Sequence, residues 1–271
     1  MEQEIHHQKI DPMQISEWLK HINHTTAEKN SGNFSSADMF GKEVILEWKK
    51  ANILSPELAS FKKNISDFAN QNLAPIEMEF LRTNPEAVSQ ELFLRSSAPL
   101  FENGLDSVQW DQVEEKIKAS IKQFYEMDVS SFGMQVLKPL LNDIYFFVTL
   151  KNKGTEKIIG FLIFAITPNL VYGDIKAINM IVNAQDQNRG LDDLLMSSIF
   201  KLIPETRRIF TFVRPTNAQA QLAYATMGFT LNLSPPQDPN HKVNLKYLDF
   251  FEYKSEHSAI LQKIAETLNK D

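Results

Sequence analysis

The chain has 271 residues, 43% of them hydrophobic and 23% charged, with a formal net charge of -6, the composition of a folded globular protein of about two domains. It has no cysteine, which excludes disulfides, thiolate metal sites, thiol redox pairs and a cysteine nucleophile. The acidic balance argues against nonspecific nucleic-acid binding, and the longest apolar run, "IIGFLIFAI" from Ile158 to Ile166, is too short to cross a bilayer.

The opening "MEQEIHHQKIDPMQ" is polar with no apolar centre, unlike a secretory signal, so a cytoplasmic location is expected. Residues 11 to about 72 read as three helices. The first starts at Asp11-Pro12 with Ile15, Trp18, Leu19 and Ile22 on one face; the second follows Ser35-Ser36 with Met39, Phe40, Val44, Ile45 and Trp48 in loose helical register. The third starts at Ser55-Pro56 and aligns Leu58, Phe61, Ile65 and Phe68. Short amphipathic helices bury their faces only against each other or a neighbour, which predicts a helical N-terminal subdomain over residues 1–85. "NLAPIEMEFLRTNPEAVSQ", with two prolines, reads as the connector to a second domain over 86–271.

In that second part "ELFLRSSAPLF" is a strand candidate. A helix with Trp110, Val113, Ile117, Ile121 and Phe124 at helical spacing follows, and a shorter one starts near Met134. "IYFFVTLKNKGTEKIIGFLIFAI" carries two apolar, β-branched runs around a polar turn with Gly154, a hairpin signal. "IKAINMIV" is a further strand. The helix after it carries Leu191, Leu194, Leu195, Ile199, Leu202 and Ile203 and stops at Pro204. "RRIFTFVRP" is a strand, Asn217 to Met227 a helix closed by Gly228, "LKYLDFFEYK" a last strand, and Ile260, Leu261, Ile264 and Leu268 line a final helix. The elements alternate without a strict βαβ repeat, which predicts an α/β (α+β) fold: a mixed, mostly antiparallel sheet flanked by helices.

Function points to one junction, "AQDQNRGLDDLLM" from Ala184 to Met196. A strand, a glycine turn and a helix form a generic anion cradle, because the unsatisfied N–H groups of the first turn and the helix dipole face the same way. A turn merely shaped by Gly190 has the same sequence, so the order of the neighbouring parts decides. Between the hairpin at Ile144 to Ile166 and the helix at Asn217, the chain resembles the GCN5-related N-acetyltransferase (GNAT) superfamily. The family turn, Gln/Arg-x-x-Gly-x-Gly/Ala, is matched by Gln187-Asn188-Arg189-Gly190-Leu191-Asp192. A second block, an asparagine leading a helix with a tyrosine seven residues on and a closing Gly-Phe, is matched by Asn217, Tyr224, Gly228 and Phe229 in "TNAQAQLAYATMGF". The likeness covers roughly residues 90 to 254 and leaves the N-terminal part unexplained.

The resemblance implies an acetyl-CoA-dependent transfer of an acetyl group to a primary amine, small molecule or peptide, by direct attack. It implies that backbone groups of Met180, Ile181 and Val182 face the pantetheine arm and thioester carbonyl, that Gln187, Asn188, Arg189, Gly190, Leu191 and Asp192, with the amide of Asp193, surround the pyrophosphate, and that Asn217 contacts pantetheine. Asn217 is equally a helix N-cap. It implies that Tyr224 protonates the departing thiolate, with an ordinary pKa of about 10; the alternative is a tyrosine packed on a helix face.

Two departures from the family pattern bear on activity. Asp192 stands where the family has a small residue, and a carboxylate about 6 Å from a phosphate charge costs on the order of 2 to 3 kcal/mol at an effective dielectric near 20, roughly a hundredfold in affinity. Arg189 would offset part of it; alternatively Asp192 and Asp193 stabilise the helix dipole themselves by about 0.3 to 1 kcal/mol each. Nor does "IKAINMIV" carry a glutamate to deprotonate the amine, and Asn179 cannot replace one; water-mediated removal, or a carboxylate such as Glu126 or Asp128, is the alternative. These departures define a rival, a GNAT-like binding or interaction module without catalysis. A splay between the strands ending near Val182 and Val213 distinguishes either reading from an unrelated α/β domain. His6, His7, His21 and His24 lack a completing ligand set, so no metal is expected. The polar face of the last helix lacks the basic excess of membrane-surface helices, so it is expected to cover the chain's own core or a homodimer contact.

Overall fold

The computed structural model describes residues 31–51, 59–84, 103, 105–126, 144–166, 173–215, 217–232 and 249–270. The expected helix at Asp11, the strand "ELFLRSSAPLF" and the helix near Met134 lie outside the described residues, as do the four N-terminal histidines and Asp128.

A nine-stranded sheet organises the molecule. Its strands are β1 (Ser31–Ala37), β2 (Glu43–Ala51), β3 (Ile144–Asn152), β4 (Ile158–Ile166), β5 (Asp174–Val182), β6 (Arg208–Val213), β7 (Thr230–Leu231), β8 (Asp249–Lys254) and β9 (Asn269–Lys270), and its helices α1 (Ala59–Thr83), α2 (Trp110–Glu126), α3 (Leu191–Leu202), α4 (Ala218–Thr226) and α5 (Ile260–Glu266). The order across the sheet is β7-β8-β6-β5-β4-β3-β2-β1-β9. Among the described residues every pairing is antiparallel except β5 with β6. The mixed, mostly antiparallel sheet expected from the sequence is therefore present.

Helices cover both faces, and this is why β3 and β4 read as continuous apolar runs instead of alternating ones. Phe146, Val148 and Leu150 join the core under α3 and α5, while Tyr145 and Phe147 join a second core under α1 and α2. On the first face Phe146 stacks on Phe164, ring centroids 4.8 Å apart. On the second, Val113, Ile117 and Ile121 of α2 are buried against the stripe of α1 formed by Ile65, Phe68, Ala69 and Met78.

Two sequence expectations fail here. The segment after Ser35-Ser36 is not a helix: β1 and β2 form a hairpin inside the sheet, paired from Ser31↔Lys49 to Ala37↔Glu43. Val44, Leu46 and Trp48 are buried with period two, the strand periodicity, and the turn at Gly41 needs a left-handed φ of 77°. Residues 31–51 thus belong to the main sheet and not to a helical N-terminal subdomain ending at 85. The connector read from "NLAPIEMEFLRT" is likewise helical, since α1 runs through Pro75 to Thr83. Burial of Ala74, Met78, Phe80 and Leu81 outweighs the helix-interior proline, which costs about 3 kcal/mol. The short strand β9, which pairs Ser35↔Asn269 and Phe34↔Lys270, had no sequence signal.

Candidate functional site

The site begins with an irregularity in β5. Its register against β4 runs Gly160↔Val182 to Ile163↔Asn179 and resumes at Phe164↔Ala177, so Ile178 is an extra residue. A bulge reverses the alternation of side chains: Ile175 and Ala177 before it, and Met180 and Val182 after it, face the same core, whereas Ile178 and Ile181 face the other.

On its other edge β5 pairs in parallel with β6, but only over Asp174↔Arg208, Ile175↔Ile209 and Lys176↔Phe210. Beyond these three pairs the strands separate, β5 continuing to Val182 beside β4 and β6 to Val213 beside β8. The closed end is held by Arg208, which pairs with Asp174 and, at 3.0 Å, with Glu252, both carboxylates nearly fully buried. Burial alone would raise the Glu252 carboxyl, but Arg208 and Lys254 hold it below its ordinary range. At the open end Arg214 pairs with Glu77 of α1 at 3.1 Å and lies 4.3 Å over the Phe80 ring.

Opening the pair frees backbone groups. Asn183 donates its N–H to the Ile159 carbonyl at 2.8 Å, and alternation along the ladder turns the N–H and C=O of Met180 and Val182 to the opposite edge, into the gap left by β6. A cavity of about 510 Å³ fills this gap. It brings together Met180, Ile181 and Val182 of β5, Gln187, Asn188, Gly190 and Asp192 of the following turn, and Asn217 and Tyr224 of α4. Two of the expected residues do not line it: Leu191, buried in the core, and Arg189.

The turn has two left-handed residues, Asn188 at φ 60° and Gly190 at φ 69°. Asparagine and glycine tolerate that region best. Gly190 leads directly into α3, whose first turn carries Asp192 and Asp193. Both carboxylates line the cavity. Burial pushes Asp192 up to about 6, the neighbouring Asp193 charge adding to it and a bond from its own backbone N–H opposing it; burial likewise raises Asp193. No lysine, arginine or histidine lines the cavity among the described residues. Arg189 does not supply the missing charge: its Nε donates to Asp38 at 2.6 Å and its Nη1 pairs with Asp186. The expected offset of the Asp192 charge by Arg189 is therefore absent.

Asn217 is a helix N-cap, its Oδ1 accepting from the Ala220 N–H at 3.1 Å, and it also lines the cavity. Gln219 donates to Gln187 across the gap at 2.6 Å, joining α4 to the turn. Tyr224 is buried, 5.1 Å from the Phe229 ring, with its hydroxyl bonded to Thr211. Burial pushes it up to about 12; the Asp192 charge adds to this and Thr211 opposes it.

Sequence reasoning missed the α1 wall, where Gln71, Asn72, Pro75 and Ile76 face the cavity. Pro75 has no N–H to give the Gln71 carbonyl one turn earlier. Glu126 ends α2. Among the described residues no group of acidic and histidine side chains is arranged to hold a metal ion, and no helix is long and apolar enough to cross a membrane.

No family model and no curated protein matches the chain. Among solved structures it is similar to a nourseothricin acetyltransferase, at 16% identity and TM-score 0.32 over 42% of this chain and 65% of that one. It is also similar to the PaiA N-acetyltransferase of Thermoplasma acidophilum in complex with coenzyme A, at 12% identity and TM-score 0.41 over 77% of this chain and 98% of that one. A spermidine N-acetyltransferase variant from Vibrio cholerae matches at 15% identity and TM-score 0.33 over 57% of this chain and 78% of that one.

Proposed function

We propose that this protein is a GNAT-type N-acyltransferase that moves an acetyl group from acetyl coenzyme A to a primary amine. The observation that carries the reading is the splay of β5 from β6, which opens the β5 edge at Met180 and Val182 onto a cavity bounded by the Gly190 turn and Tyr224. The two sequence blocks that resemble the family converge on this one cavity.

In this reading the pantetheine arm lies along the free edge of β5, and the N–H of Met180 or Val182 donates to the thioester carbonyl oxygen, stabilising the charge that develops there. The amine nitrogen attacks the carbonyl carbon, the carbon–sulfur bond breaks, and the proton leaving nitrogen is balanced by protonation of the thiolate. An acceptor that arrives as an ammonium first loses a proton to water. A phenol at about 12 stays protonated throughout, so Tyr224 serves as a hydrogen-bond donor to the leaving sulfur. Its raised pKa makes it a weaker acid than an unperturbed tyrosine, so a thiolate near 8.5 does not deprotonate it and the proton that ends on sulfur comes from solvent.

The test is calorimetric titration of acetyl coenzyme A into the intact protein, followed by an amine screen with wild type and Tyr224→Phe. The expected result is unchanged binding with kcat reduced about a hundredfold; an unchanged kcat would remove Tyr224 from the chemistry. The acidic lining favours a second reading, a binding module of the same fold without catalysis. Absence of coenzyme binding by folded protein would favour that reading over the first.

A further inference from the structure

The β1–β2 turn, which belongs to the part of the chain the family resemblance leaves unexplained, is docked on the Gly190 turn. Met39 donates its N–H to the Arg189 carbonyl at 3.1 Å, and the Asp38 carboxylate accepts from the Arg189 guanidinium at 2.6 Å. Asp38 is buried and also accepts from the Phe40 and Lys42 N–H groups, each at 2.9 Å. Burial alone would raise its carboxyl, but these donors hold it below its ordinary range. The turn is thus fully bonded internally and fixed to its neighbour.

Two large apolar side chains stand at its tip, Met39 at 68% exposure and Phe40 at 67%. The Met39 Cβ is the nearest atom to the space over Gly190, 3.8 Å from where a Cβ would sit there. Lys42, exposed in the same turn, brings a positive charge, which no described residue of the cavity lining does. An apolar pair on a rigid turn beside an anion cradle has the form of a stacking platform.

Building on the reading that the cavity takes the pantetheine arm and the turn the diphosphate, we propose that Met39 and Phe40 bind the adenine ring of the coenzyme. The ring would lie on the side chains at the lip, outside the cavity, continuing the path that begins at the free edge of β5.

The experiment is calorimetry of coenzyme A and of 4′-phosphopantetheine, which lacks the base, with wild type, Met39→Ala and Phe40→Ala. Both positions are exposed, so the variants fold; Leu231→Ala, another exposed apolar position on β7, is the control. The expected result is a five- to hundredfold loss of coenzyme A affinity in Phe40→Ala, with phosphopantetheine affinity unchanged. Equal losses for both ligands, or none for coenzyme A, would overturn the platform while leaving the cavity reading intact. A wild type that binds neither ligand would overturn both. Sedimentation of the same samples identifies a different occupant: self-association lost in Phe40→Ala with coenzyme A affinity unchanged would assign the patch to a second copy of the chain.

Discussion

Replacing Asp192 by asparagine removes a charge at nearly constant volume, so its effects report on that charge alone. The carboxyl is raised from 3.8 to about 6, which for the ionised form at neutral pH corresponds to about 3 kcal/mol of lost stability. Asp192 remains partly open to the cavity, and solvent screening reduces this to about 1 to 2 kcal/mol. Because the folded-state pKa lies above the unfolded one, stability is fully present below about pH 4 and is lost as pH rises through about 6. Asp192→Asn should therefore melt about 2 to 8 °C above wild type at pH 7.5 and equal to it at pH 4. The same change removes a repulsion of about 3 kcal/mol toward a phosphate some 6 Å away, so coenzyme A should bind about a hundredfold more tightly at pH 7.5. Salt screens the repulsion as well, so wild-type affinity should rise with ionic strength and that of the variant should rise less. Thermal unfolding across pH and calorimetry across salt measure both quantities. Equal melting temperatures at pH 7.5, or coenzyme affinity that falls with salt in wild type, would show that the carboxylate is not the charge that governs the turn.

Two further predictions concern the frame. Arg208→Gln leaves the buried carboxylates of Asp174 and Glu252 without their shared cation and should cost about 3 to 5 kcal/mol in urea unfolding at pH 7; the Glu252 pKa is lowered in the folded state, so the gap should narrow as pH falls below the ordinary carboxylate range, and a pH-independent gap would refute the ion-pair account. Gly190→Ala adds a methyl at ordinary contact distance, 3.8 Å from Met39 and 3.9 Å from Asp193, and should cost only the left-handed φ, about 1 kcal/mol. Gly228→Ala, also at positive φ but with its new Cβ 2.8 Å from the Ser258 hydroxyl, should cost more, and the reverse order in urea would contradict the steric argument.

What was legible in the sequence was set by local rules. The Ile144–Ile166 hairpin, α3, and the α4 block from Asn217 to Gly228 each carry their own periodicity and punctuation, and each formed where expected. The helical period over residues 39–48 is false because Met39 and Phe40, which belong to an exposed turn, fall in helical spacing with the strand residues Val44 and Trp48. The α1 wall of the cavity was invisible for another reason: nothing local to Gln71 or Ile76 states that residues more than a hundred positions later, such as Met180, will face them. Arg189 shows the same limit. Its place in the motif suggested a partner for phosphate, and only the distant Asp38, brought near by the hairpin, turned it away.

Together these features constrain where donor affinity comes from. A helix N-terminus contributes about 0.3 to 1 kcal/mol toward an anion, less than the repulsion of about 3 kcal/mol from an ionised Asp192, and among the described residues no cation lines the cavity to make up the difference. Charge at the turn is therefore net unfavourable at neutral pH. Micromolar binding, about 8 kcal/mol, would have to come from backbone bonds along the free edge of β5, burial of the pantetheine arm, and stacking on Met39 and Phe40. The hairpin, which the sequence pattern assigns to a separate helical unit, then has a physical role. It withdraws Arg189 from the turn through Asp38 and provides, in its exposed tip, apolar contact whose strength does not depend on the ionisation of Asp192.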